Sequence, residues 1–170
     1  PAVSWSFPNI VSARARLRQA EAQGAAALAA FDGKVVTALK EVEQALGMAN
    51  VTLEKGDVVL FHTGKMTATE GKPFSPLSPG LGVEGAQYLA DQGVVAVGAD
   101  SWALEVVPFE NEKRPFDVHL TLLAKNGVYI LENMVTDELA KDGVTEFFFT
   151  LGIPRMEGTV QAIINPIAIK

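Results

Sequence analysis

A chain of 170 residues suits one compact domain. Its 48% hydrophobic and 20% charged residues place it with globular rather than disordered chains. The net charge of −6 repels phosphate backbones and argues against nucleic-acid binding, while the lack of cysteine excludes disulfides, thiolate nucleophiles and thiolate zinc sites.

No apolar stretch reaches the ~18 residues of a membrane span. Pro1-Ala2-Val3-Ser4-Trp5 has neither the basic flank nor the apolar core of a signal peptide. A cytoplasmic protein without a membrane partner is therefore expected. The missing initiator Met leads to the expectation that an upstream piece has been removed.

Residues 1–9, with two prolines and two aromatics, read as an extended docking segment. Ser12 to Phe31 is rich in Ala, Arg, Gln and Glu and predicts a helix, interrupted near Gly24. Arg14, Arg16 and Arg18 lie on it as a solvated face. Thr37 is placed to cap a second helix running to Leu46, with Leu39, Val42 and Leu46 on one face and Gly47 as its stop. After the turn Lys55-Gly56-Asp57, the continuous apolar run Val58–Phe61 predicts a strand buried on both faces.

Residues 64–82, rich in glycine and proline, read as a long loop. Val83 to Asp91 predicts a helix ended by Gly93, and Val94 to Gly98 a second buried strand. This strand–loop–helix–strand order predicts a mixed α/β domain. A second loop, 100–115, precedes a short helix over Val118 to Ala124. Then come a strand over Val128 to Leu131, a short helix over Thr136 to Lys141, and strands over Glu146 to Thr150 and Thr159 to Ile169.

The common hydrolase signatures are missing. There is no Gly-x-Ser-x-Gly, no His-Glu-x-x-His and no phosphate loop, and the glycines of Gly80 to Gly85 follow a Pro-rich loop rather than the strand a dinucleotide fold needs. Of the two histidines, His62 ends the first strand. It reads first as a hydrogen-bonded structural histidine and otherwise as the lining of a cleft. His119 lies thirteen residues before Glu132, itself at the end of a strand. An imidazole and a carboxylate held together share a metal or pass a proton; the alternative is a buried ion pair or two unrelated polar groups. Asp100 follows the second strand, with Trp102 and Glu105 soon after, where loops meet over a rigid scaffold and ligands often bind. Trp102 reads equally as a platform for a planar substrate and as a core plug.

Several segments taken in order resemble the cyclase family, the group that includes bacterial kynurenine formamidase and isatin hydrolase. They are Gly56-Asp57-Val58-Val59-Leu60-Phe61-His62-Thr63-Gly64, Pro79-Gly80-Leu81, Tyr88-Leu89-Ala90, Val97-Gly98-Ala99-Asp100-Ser101-Trp102, and His119 with Leu122-Leu123. Asn126-Gly127-Val128-Tyr129-Ile130-Leu131-Glu132-Asn133 and Asn165-Pro166-Ile167-Ala168-Ile169 complete the series. The resemblance spans roughly residues 50–170.

It implies a swivelling β/β/α fold and hydrolysis of an amide or cyclic amide C–N bond with a divalent metal, zinc or manganese. It places His119 and Glu132 at the metal centre as ligands and catalytic groups. Asp100, Trp102 and His62 are the expected substrate-side residues. The family's main metal signature, His-x-Gly-Thr-His-x-Asp-x-Pro, is absent from this chain. His62-Thr63-Gly64 belongs to a later motif, and Lys65 stands where the family often has Trp.

Two expectations follow. One is a metal-dependent hydrolase acting on a small-molecule amide, its remaining ligands supplied by a missing N-terminal segment or another chain of a homo-oligomer. The other is a metal-free binding or assembly module on the same scaffold. Residues 1–33 form an unmatched extension in this reading, and 34–170 the cyclase-like α/β domain.

Overall fold

The run Val58-Val59-Leu60-Phe61 forms strand β1 (Val58–Phe61), as its β-branched and aromatic side chains favour. In the computed structural model, which describes residues 42–43, 46–47, 50–69 and 76–170, β1 lies at one edge of a three-stranded parallel sheet. The order is β1-β2-β3, with β2 spanning Ala96–Ala99 and β3 Tyr129–Leu131. Val58 pairs with Ala96 and Phe61 with Ala99, while Gly98 pairs with Leu131. The fold is thus mixed α/β. The readings for residues 1–33 and for the helix start at Thr37 lie outside the described residues.

Only the central strand is buried throughout. β1 is half-buried along its length, because an edge strand covers its hydrogen-bonding side on one flank only. The second strand begins two residues later than the apolar run suggests. Val95 is exposed and donates its N–H to Asp57 O, just before β1 begins, so the ladder starts at Ala96. At the centre of the sheet, Gly98 allows Leu60 and Leu131 to close over it; a Cβ there would press on both.

Helix α1 (Lys65–Thr69) interrupts the segment read as a continuous loop over 64–82. Helix α2 (Val83–Asp91) buries Ala86 and Leu89. Its free N-terminal amide at Val83 donates to Glu110 Oε2 at 2.9 Å, so a carboxylate meets the positive end of the helix. Helix α3 (Asp117–His119) runs on as a π-helical turn, Leu120–Lys125, which buries Thr121 and Leu122. Leu89, Val97, Leu104, Val118 and Leu122 form the main core between these helices and the sheet.

A smaller cluster covers the other side. Ala96, Leu131 and Met134 pack there with Leu60, Phe149, Leu151 and Ile164. After α4 (Asp137–Lys141), β4 (Phe148–Thr150) pairs antiparallel with β5 (Ile167–Ile169) as a separate two-stranded sheet. The expected strand over 159–169 is therefore only its last three residues. Pro166 lacks an N–H, Gly158 takes a positive φ of 76°, Val160 and Ile163 point fully to solvent, and residues 158–166 pair with no strand among the described residues. Among the described residues no helix is long and apolar enough to cross a membrane.

Candidate functional site

Because β1, β2 and β3 run parallel, their carboxyl ends open on the same edge of the sheet. His62 follows β1, Asp100 follows β2 and Glu132 follows β3. This edge is where open α/β sheets commonly place ligands. The polar residues fall into two clusters.

The first surrounds Asp100, whose side chain is fully buried. Its Oδ1 accepts from the Thr63 backbone N–H at 2.7 Å and the Thr63 hydroxyl at 2.6 Å. Its Oδ2 makes no hydrogen bond and lies 3.7 Å from His62 Nδ1. His62 Nδ1 is hydrogen-bonded to Thr136 Oγ1 at 2.9 Å, and its ring is 37% exposed. Asp100 thus has no surface for a ligand, and it reaches the cleft only through Thr63 and His62.

The second cluster surrounds His119. Its Nδ1 lies 2.5 Å from Glu105 Oε1, and its Nε2 lies 3.2 Å from Glu132 Oε1. The two expected residues, His119 and Glu132, are therefore brought together. Glu105 is the member that the site assignment from sequence left out. The signal was present: one acid within the apolar run Ala103-Leu104-Glu105-Val106-Val107 must find a partner once buried. Burial opposes charge on His119, but the hydrogen bonds and charges of Glu105 and Glu132 outweigh it and raise its pKa from 6.5 to about 9. At neutral pH the metal-free imidazole is a cation held between two carboxylates.

The backbone around this cluster is bent into conformations that side chains rarely adopt. Leu104 (φ 51°) precedes Glu105, Asn133 (φ 54°) follows Glu132, and Phe116 (φ 59°) starts the turn that delivers His119. Such left-handed residues cost about 1–3 kcal/mol each and gather at functional sites. The π-helical turn after His119 is another feature frequent at such sites.

Gly80 has a part in the same construction, since a Cβ there would collide with the backbone carbonyls of Leu104 and Glu105. The Gly80 segment is bound to that loop on both sides, by Ser78 N to Val107 O at 3.0 Å and Leu81 N to Leu104 O at 2.8 Å. Phe116 meets the His119 ring edge-on with centroids 5.3 Å apart, and Phe109 packs behind it at 4.8 Å. Trp102 is half-buried in the loop beyond β2.

A cavity of about 600 Å³ opens beside β1. His62 and Thr136 line it together with Leu53, Leu89, Phe147 and Phe149, whereas Glu105, His119 and Glu132 do not. The His119 cluster therefore lies outside the lining of this cavity.

Could the His119 cluster hold a cation? Zinc takes nitrogen and oxygen ligands at about 2.0–2.2 Å, so two donors 3.2 Å apart, as His119 Nε2 and Glu132 Oε1 are, can bind one ion. A catalytic zinc usually takes three protein ligands. Among the described residues no group of three or more His, Cys, Asp or Glu side chains is placed to hold a metal. The donors present fit part of a metal site.

Known proteins match the chain at the level of family and fold. Residues 11–106 match the family described as putative cyclase. The matched span begins well before residue 50, where the resemblance of individual motifs starts, and ends short of His119. A solved structure described as a novel cyclase is 32% identical, with a TM-score of 0.65 over 75% of this chain and 44% of that one. A potential metal-dependent hydrolase with cyclase activity is 25% identical, with a TM-score of 0.52 over 71% of this chain and 54% of that one. A predicted metal-dependent hydrolase from Bacillus stearothermophilus is also 25% identical, with a TM-score of 0.52, over 71% of this chain and 53% of that one. The chain thus spans about half the length of the solved structures it matches. No curated protein matches it.

Proposed function

The chain belongs to the cyclase family, and on that premise we propose that it carries part of a metal-dependent hydrolase site acting on an amide or cyclic amide C–N bond. The observation that carries this reading is His119 gripped between Glu105 and Glu132 beyond the carboxyl ends of a parallel sheet. His119 Nε2 and Glu132 Oε1 would hold a divalent cation, zinc or manganese. A bound cation of this kind supplies a Lewis acid and a water of lowered pKa.

The chain's own residues perform the remaining tasks. Glu132, about one-quarter exposed, would take or return a proton at the reacting group. Phe116 and Phe109 shield one side of the imidazole from water. His62, exposed at the neighbouring strand end and held by Thr136, offers a polar contact to a small-molecule amide whose apolar part occupies the cavity beside β1. Asp100 holds Thr63 and His62 in place, and Trp102 is a candidate platform in the adjoining loop. The further ligands come from outside the described residues or from a second copy of the chain in a homo-oligomer.

The test is hydrolysis of formanilides and cyclic amides by protein supplied with zinc or manganese. The reading expects turnover, and a loss of at least about 100-fold in His119→Ala. Metal-supplied protein that turns over none of them would turn the assignment to the second reading, a metal-free module on the same scaffold. One observation favours that alternative: neither histidine of this chain lies in a His-x-Gly-Thr-His-x-Asp-x-Pro segment. The Glu105–His119–Glu132 cluster is then a structural ion network.

A further inference from the structure

We infer that Glu105 is the positioning residue of this site: its buried carboxylate holds the Nδ1–H form of the His119 ring and leaves Nε2 as the nitrogen that faces Glu132. That Nε2 then serves a cation rests on the hydrolase reading above; the assignment of the ring proton does not.

The two carboxylates are unequal partners. Glu105 approaches to 2.5 Å with a side chain 4% exposed, whereas Glu132 stands at 3.2 Å with a side chain 23% exposed. A hydrogen bond in the drier environment is electrostatically stronger, so the last ring proton stays on Nδ1, donated to Glu105. Glu105 is also the more firmly mounted. Its Oε2 lies 3.4 Å from the Val118 amide, one residue before His119, so one carboxyl group spans the ring and the helix that carries it. Its backbone is flanked by Leu81 N to Leu104 O at 2.8 Å and Val106 N to Leu81 O at 3.1 Å. Gly80 lets the two segments approach this closely. Such a mounting fixes both the ring plane and the tautomer. Metal-binding histidines commonly depend on a carboxylate at the other ring nitrogen for this.

The test is a long-range nitrogen–proton NMR spectrum of the metal-free protein at alkaline pH, where the ring is neutral. Wild type is expected to carry its proton on Nδ1 of His119, with Nε2 bare. Glu105→Gln is expected to shift the population toward Nε2–H, and Glu105→Asp, which keeps the carboxylate, to retain Nδ1–H. Backbone amide spectra report whether each variant is folded. A wild-type proton on Nε2 overturns the inference, whether or not the variants fold. So does an unchanged tautomer in folded Glu105→Gln.

Zinc titration against a chromophoric chelator is the second readout. Measured at alkaline pH, where no ring proton competes with the metal, a 10–100-fold weaker affinity in Glu105→Gln, with recovery in Glu105→Asp, is expected, and equal affinity in wild type and Glu105→Gln contradicts the inference. Wild type with Nδ1–H but no zinc binding would strike the hydrolase reading and leave the positioning role of Glu105 standing.

Discussion

His119 donates toward a carboxylate from each side of its ring, and this sets how the metal-free protein responds to pH. Its folded-state pKa of about 9 lies above the ordinary 6.5, so its charge favours the folded state. That contribution is complete below about pH 6.5 and is lost as pH rises through 9. The urea midpoint of the metal-free protein should therefore fall between pH 7 and pH 10 by more in wild type than in His119→Gln. Equal losses in the two would contradict the charged imidazole. At this scale the sequence was partly legible. His119 and Glu132 stood out because one is a scarce imidazole and the other an acid closing an apolar strand. Glu105 was visible as an acid among apolar residues, but its partner was not, because nothing in the spacing of residues 105 and 119 shows that a loop and a helix start face each other.

At the scale of elements, the site depends on one close approach. The segment around Gly80 lies against the Leu104–Glu105 backbone, and a methyl group at Gly80 would meet both carbonyls. Gly80→Ala should push the two segments apart and destabilise the fold by about 1–3 kcal/mol, in the range of overpacking a tight site. It should also weaken the Glu105–His119 contact. Thermal melts measure the first effect and the His119 ring spectrum the second; a variant with unchanged melting and unchanged ring signals would show that the approach is slack.

The strands and α2 were legible because each is a short apolar run or a helical face between turn residues. The errors share one cause. The start of β2, the half-burial of β1 and the shortness of β5 are decided by which strand lies alongside, and a single run of residues does not carry that information. Helix α1 was hidden by the glycines and prolines of the segment that follows it.

For the whole molecule, apolar surface remains to be accounted for. Val160 and Ile163 are 99% exposed, and Phe148, Ile167 and Ile169 of the β4–β5 sheet are largely uncovered. Phe148 pairs with Ile169 across the sheet, and adjoining exposed apolar residues mark contact surfaces. This supports the proposal of a homo-oligomer. Sedimentation of the purified chain should give at least a dimer, and Val160→Asp with Ile163→Asp should lower the assembly state without unfolding it. A wild-type monomer would remove the proposal. The mixed α/β class was legible from the order of elements and their patterning. The completeness of the metal centre was not, because its ligand set is a property of the assembled site rather than of any one segment.

Zinc binding by the purified protein, followed together with proton release, measures most directly whether His119 and Glu132 bind a divalent cation. Binding should strengthen as pH rises, because the cation must displace a proton from an imidazole with a pKa of about 9. That binding should be lost in both His119→Ala and Glu132→Ala. Zinc that fails to bind, or that binds equally well to the two variants, would contradict it and leave the Glu105–His119–Glu132 cluster as an ion network of the scaffold.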